Sequence, residues 1–123
     1  MKPRRLLLSL AASLLLAACA QPPEAPANLG PGDPQRGSVL LVREVCGACH
    51  VIPGIQEADG KVGPPLSGMA QRTIIAGVLP NTPDNMARWI RQPQAVVPGN
   101  AMPDVGVSEQ QARDMAAFIE TLR

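Results

Sequence analysis

Cys46-Gly47-Ala48-Cys49-His50 is the stretch on which the reading of this chain turns. Two thiols three residues apart at the end of a helix lie on one side of a turn. They are close enough to add across the two vinyl groups of one macrocycle, and the next residue delivers an imidazole to the same face. C-x-x-C-H is therefore read as a haem attachment. Other uses of the segment have to be weighed against it. A redox dithiol expects a βαβ setting, and the chain has no run of alternating strand residues. A zinc site needs four Cys, His or carboxylate ligands, yet His50 is the only histidine and the third cysteine is far away at Cys19. A structural disulfide would leave His50 without a role.

Reading from the motif toward the N-terminus, Asp33 can cap a first helix that has Pro34 at its first position. Its apolar residues Val39, Leu40, Val42 and Val45 lead directly into Cys46. Before Asp33, residues 20–32 contain Pro22, Pro23, Pro26 and Pro31, with Leu29 the one large apolar side chain. Nothing there can build a core, so a tether is expected over residues 19–32. Lys2, Arg4 and Arg5 precede an apolar run, Leu6 to Ala18, that is too short to span a bilayer and long enough for a secretory signal. The run ends Leu16-Ala17-Ala18-Cys19 and resembles a lipobox, which implies a lipoprotein signal peptide over residues 1–18 and an acylated Cys19. An ordinary signal peptide cut after Ala18 or Ala20 is the alternative, and in both cases the protein is exported. The three cysteines then divide into one lipid-bearing residue and one pair.

Toward the C-terminus, Val51 to Leu66 is punctuated by Pro53, Gly54, Gly60, Gly63, Pro64 and Pro65 and reads as loop. A short helix is expected around Gln71 to Val78. Thr82-Pro83 opens another, carrying Met86, Trp89 and Ile90 and stopping before Pro93. Val96 to Val107 reads as loop. Ser108 and Gln111 form a capping box pattern for a last helix, whose Ala112, Met115, Phe118, Ile119 and Leu122 recur at helical spacing. Residues 33–123 are thus expected to form one all-α domain of about three to five helices. With Trp89 and Phe118 as its only aromatics, so small a domain has a thin core, and a covalent haem would fill it.

A single histidine excludes bis-histidine ligation within one chain. The sixth iron position then falls to Met, Lys or Asn, or stays open. Met86 and Met115 sit at core-facing helical spacing, and Met69 follows a Gly-Pro-Pro turn. Met102 lies in Pro98-Gly99-Asn100-Ala101-Met102-Pro103, where rigid flanks can present a thioether, and it is the preferred candidate.

With these features the chain resembles the class I (mitochondrial-type) cytochromes c over essentially all of residues 33–123. The likeness rests on C-x-x-C-H, Gly63-Pro64-Pro65-Leu66, Trp89 to Pro93 and Pro98 to Met102, with Phe118 on the terminal helix. It implies haem c on Cys46 and Cys49, with His50 and Met102 on the iron. It also implies that the Pro64 carbonyl accepts from His50 Nδ1, that Leu66 and Trp89 line the haem, that Arg72 approaches a propionate, and that Asn100 hydrogen-bonds near the Met side. Gly37 sits one residue out of the family's commonest register, so a looser or shifted crossing against Phe118 is expected. Ile52-Pro53-Gly54, Val62 to Pro65, Leu79 to Asn85 and Gln92 to Ala95 resemble the cytochrome c domains fused to subunit II of some bacterial haem-copper oxidases, which implies respiratory electron delivery.

Charge excludes a nucleic-acid partner: beyond residue 18 the chain has 8 Lys and Arg, one of them lysine, against 10 Asp and Glu. The expectation is a monomeric one-electron carrier, not an enzyme, held by lipid at the periplasmic side of a membrane. Its haem edge would be exposed beside Gly47, Ala48, Val51 and Met102 to Val105, for brief docking of redox partners, a haem-copper oxidase among the candidates. The rivals are a fixed subunit of an exported dehydrogenase or oxidase, and a sensor or peroxidase with an open iron position.

Overall fold

Helix α1 (Pro34–Arg43) begins where its cap dictates: the Asp33 carboxylate accepts the Arg36 N–H, and Pro34 fills the first turn, where no N–H is needed. The computed structural model describes residues 30–123, so the expected signal peptide, Cys19 and the expected Pro-rich tether as far as Leu29 lie outside the described residues. By Gly32 the chain already runs against the backbone of Arg113 and the side chain of Ala117.

Among the described residues four α-helices carry the fold: α1, α2 (Pro83–Arg91), the single turn α3 (Pro93–Val96) and α4 (Glu109–Ile119), with 3₁₀ turns at Cys46–Ala48 and Met69–Gln71. Thr82 caps α2 by accepting from Asn85 N. Ser108 and Gln111 close both halves of the capping box on α4. Helix α4 is the hub, with α1 on one flank and α2 on the other. Its Ala112, Met115, Ala116 and Ile119 are buried among Leu40, Leu41, Met86 and Ile90.

Three expectations are corrected. The first concerns the crossing of α1 with α4: Val39 and Val42, with Val45 just beyond the helix, are 66%, 60% and 65% exposed, while Gly37, Leu40 and Leu41 are buried. The crossing with α4 decides this. A Cβ on Gly37 would strike the Asp114 carbonyl and come within 3.1 Å of Phe118 Cβ, so the helices touch backbone to backbone there. The face carrying Gly37 must point inward, and the crossing is close rather than loose.

The helix expected around Gln71 to Val78 is absent beyond the 3₁₀ turn. A small antiparallel hairpin replaces it, β1 (Ile74–Ile75) against β2 (Leu79–Pro80), in register Ile74–Pro80 and Ile75–Leu79. Ala76 (φ +52°) and Gly77 (φ +72°) are both left-handed, which no right-handed helix can contain, and β-branched Thr73, Ile74 and Ile75 favour extended backbone. Asn81 braces the hairpin's base, donating from Nδ2 to the carbonyls of Met69 and Arg72. Two strands of two residues add no layer, and the molecule remains a small, mainly helical fold. The third correction is α3, which begins at Pro93 in a segment that reads as a stop followed by loop.

Candidate haem site

Helix α1 ends so that the cysteines turn inward. Val45 takes a left-handed conformation (φ +56°, ψ +32°), costly for a β-branched residue, and reverses the chain into the 3₁₀ turn. The Cys46 carbonyl accepts from both Cys49 N and His50 N, which holds the two thiols and the imidazole on one compact turn. The loop beyond is stitched back onto this turn: Gly60 N donates to Gly47 O, Gly63 N to Cys49 O, and Leu66 N to Val51 O, at 2.8–3.0 Å.

His50 Nδ1 lies 2.7 Å from the Pro64 carbonyl. A carbonyl only accepts, so Nδ1 must carry the hydrogen, which leaves Nε2 with the lone pair that a metal needs. A Cβ on Gly63 would fall 2.7–2.8 Å from the ring nitrogens and nearer still to Cε1. Glycine is thus the residue that lets the ring lie flat against the loop.

Cys46, Cys49, His50 and Met102 all line one cavity of about 520 Å³ that opens to solvent. Leu41, Leu66, Met69, Met86, Ile90 and Met115 also face it, so the core of the domain is hollow at its centre. A large, flat, mostly apolar ligand matches such a space. Cys46 and Cys49 are not joined in a disulfide, so both sulfurs are open to attachment. Burial, helped by the Glu44 carboxylate, pushes the Cys46 thiol up to about 11. Among the described residues no group of three or more His, Cys, Asp or Glu side chains is arranged to hold a metal ion. The donor set, two thiols and one imidazole on a mostly apolar cavity, fits a haem.

Leu66 (buried) and Trp89 (partly buried) line the cavity. Arg72 lines it too, and its Nη2 donates to Pro65 O at 3.0 Å. All four methionines of the described residues reach the cavity wall. Met69, Met86 and Met115 are buried in the core, whereas Met102 is half-buried on irregular backbone.

Asn100 acts on its own loop. Its Nδ2 donates to Pro93 O and Val97 O, and its Oδ1 accepts from Met102 N at 2.7 Å. Two further side chains gain a role only once the fold is known: Gln94, which bonds this same loop, and Asp114, buried between α1 and α4. Sequence reasoning assigns neither of them a function, because each is defined by partners that only the fold brings close.

The cytochrome c family model matches residues 34–123, the whole domain just described. The chain belongs to the cytochrome c family. As a cytochrome c it carries covalent haem c and is an electron carrier with redox partners rather than an enzyme. It is 35% identical over 109 residues to cytochrome c2 of Rhodopila globiformis, covering 76% of this chain and 96% of that one. It is 34% identical over 88 residues to a cytochrome c oxidase subunit 2 of Alkalihalophilus pseudofirmus, covering 72% of this chain and 24% of the other. A subunit 2 from Bacillus sp. is 28% identical over 87 residues. The chain thus spans about a quarter of the length of the oxidase subunits that it matches.

Proposed function

We propose that the chain is a single-haem electron carrier at the periplasmic face of a bacterial membrane, anchored by acylated Cys19 and feeding a terminal haem-copper oxidase. Cys46 and Cys49 hold the haem, and His50 and Met102 ligate its iron. The observation that carries the reading is that two potential axial ligands and both thiols line one cavity, with each ligand's segment fixed by hydrogen bonds to backbone atoms.

Bound haem supplies a one-electron couple, whose potential a thioether ligand raises. The rest is done by this chain's residues. Pro64 orients His50 and makes its Nε2 a better donor. Asn100 ties down the backbone of Met102, so the same two ligands serve both oxidation states and little has to move as an electron passes. Leu66, Met69, Ile75 and Trp89 keep water from the centre, and Arg72 stands at the wall as the cation for a propionate. The likeness to oxidase subunits supports a terminal oxidase as acceptor. The match along nearly all of a cytochrome c2 supports a domain that works unfused.

The test is to add reduced holoprotein to membranes of the source organism and follow its oxidation. Rapid oxidation that stops when cyanide blocks the oxidase is the expected result, and no oxidation, or oxidation indifferent to cyanide, overturns the oxidase assignment. Replacing residues 1–19 with a signal peptide that receives no lipid should release a soluble cytochrome. Continued membrane attachment of that form would overturn the lipid anchor.

A further inference from the structure

The loop that carries Met102 has almost no backbone partner of its own. Between Pro98 and Met102 its one backbone hydrogen bond is Asn100 N to Val97 O, at 3.3 Å, closing a Pro98-Gly99 turn with Gly99 at φ +77°. Two side-chain amides supply the rest. Asn100 takes Met102 N, as described. Gln94 takes three other groups: its Nε2 donates to Asn100 O at 3.0 Å and to Met102 O at 2.7 Å, and its Oε1 accepts Gly99 N at 3.1 Å. Every hydrogen-bonding atom of that amide is thus spent on the loop. Both the N–H and the C=O of Met102 are held by side chains, one by Asn100 and the other by Gln94.

Gln94 is itself well anchored. It is the second residue of α3, the turn that opens with buried Pro93. The amide therefore links a fixed point of the core to the backbone of one residue, Met102. We infer that Gln94 is a positioning residue for the axial thioether: it holds the Met102 backbone so that the sulfur stays on the iron. This rests on the assignment of Met102 as ligand. A purely structural role predicts only a change in global stability. A positioning role predicts a more labile iron–sulfur bond in a protein that is otherwise folded.

Two substitutions separate the parts of the amide. Gln94→Ala removes all three bonds. Gln94→Glu keeps the acceptor for Gly99 N and sets a second oxygen against the carbonyls of Asn100 and Met102, so its ligand bond should be at least as labile. Leaving part-buried carbonyls without donors is enough to change a local equilibrium about tenfold. Gln92→Ala, at a neighbouring amide whose side chain caps nothing in α3, is the control.

The experiment uses oxidised holoprotein and adds imidazole as a competing ligand. Both Gln94 variants should bind imidazole about tenfold more tightly than the parent protein or Gln92→Ala. They should also lose the sulfur-to-iron charge-transfer band at a lower denaturant concentration than that which unfolds the helices. Unchanged imidazole affinity and coincident loss of band and helix would overturn the inference. If neither variant yields holoprotein, hydrogen exchange on the parent protein decides: slow exchange at Gly99 N, which only Gln94 Oε1 accepts, supports the inference, and exchange at the rate of a free amide refutes it. Failure of the ligand assignment looks different, because Met102→Ala would then leave the charge-transfer band in place.

Discussion

The Asp114 carboxylate receives a two-pronged contact from Arg36, Nε to Oδ2 at 2.9 Å and Nη2 to Oδ1 at 3.1 Å, across the crossing of α1 and α4. It also accepts Asp33 N and Gln110 Nε2, so a carboxylate only 3% exposed has four donors. One helix end, one helix interior and the chain that enters the domain meet on this group.

That arrangement sets an acid limit on stability. The Arg36 hydrogen bonds hold the Asp114 carboxyl below its ordinary value of 3.8, against the opposite push of burial. A carboxyl depressed in the folded state adds stability above its unfolded value, and that contribution disappears as pH falls through the lower, folded value. Asp114→Ala should therefore cost about 1–3 kcal/mol near neutral pH, since Asp33 N and Gln110 lose a buried acceptor. The deficit should shrink below pH 3.8. Denaturant midpoints of parent and variant at neutral pH and in acid below that value check this, and equal gaps at both would contradict it.

Gly63→Ala should disturb the histidine side of the haem without replacing any ligand. A methyl group there would stand 2.7–2.8 Å from the ring nitrogens of His50, so the ring must swing away from Pro64. Overpacking of this kind costs about 1–3 kcal/mol, and it also weakens the hydrogen bond that makes Nε2 a good donor. The expected result is less holoprotein and a changed potential in what survives. Gly30→Ala, with nothing near its new methyl, should match the parent in both.

How much of this is legible in the sequence depends on whether the deciding interactions are local. Asp33, Thr82 and Ser108 each cap a helix through a partner three residues on, and C-x-x-C-H is five consecutive residues. Such features survive in one dimension. The hairpin at Ile74–Pro80 does not, because it depends on Ala76 accepting a left-handed conformation that alanine does not advertise. The inward face of α1 is obscured for a related reason. Three valines outweigh one glycine on any hydropathy count, yet Gly37 is where α4 needs a surface without a side chain. Gln94 and Asp114 are hidden more deeply: an amide and a carboxylate on helices read as solvated, until backbone from elsewhere in the fold comes within reach.

The protein should not fold without haem. At about 24 cal/mol per Å³, leaving a hole of about 520 Å³ would cost on the order of 10 kcal/mol, an upper limit because the mouth admits water. A whole domain is stable by only about 5–15 kcal/mol. Cys46→Ser, Cys49→Ser protein made without haem should show neither near-ultraviolet dichroism from Trp89 nor a cooperative unfolding transition. Native-like unfolding of that apoprotein would show that the helices hold each other without the cofactor.

Met102→Ala should abolish the sulfur-to-iron charge-transfer band, lower the reduction potential and admit carbon monoxide to the reduced protein. Met69, Met86 and Met115 also line the cavity, so each needs its own Leu variant. These three are buried in the core at 7%, 2% and 1% exposure, and they should shift stability while the band survives. Loss of the band in any of the three would move the ligand.

The last expectation concerns the encounter with partners. Steering by charge needs a patch of one sign, and its rate advantage falls steeply as salt rises. The acidic and basic side chains at the cavity wall are Glu44 and Arg72, of opposite sign and each locally engaged: Glu44 pairs with Arg43 at 2.8 Å, and Arg72 donates to Pro65 O. The exposed side chains at the cavity wall include Val45, Val62 and Ile74, so the contact surface there is mainly apolar. Electron transfer to the acceptor should then change by less than about threefold between low and physiological ionic strength, against the 10- to 1,000-fold reach of strong steering. Stopped-flow oxidation of the reduced, non-lipidated form by source membranes across a salt series measures it. A fall of tenfold or more would require a charged docking face, and Arg72, Arg88 and Arg91 would be the first residues to replace.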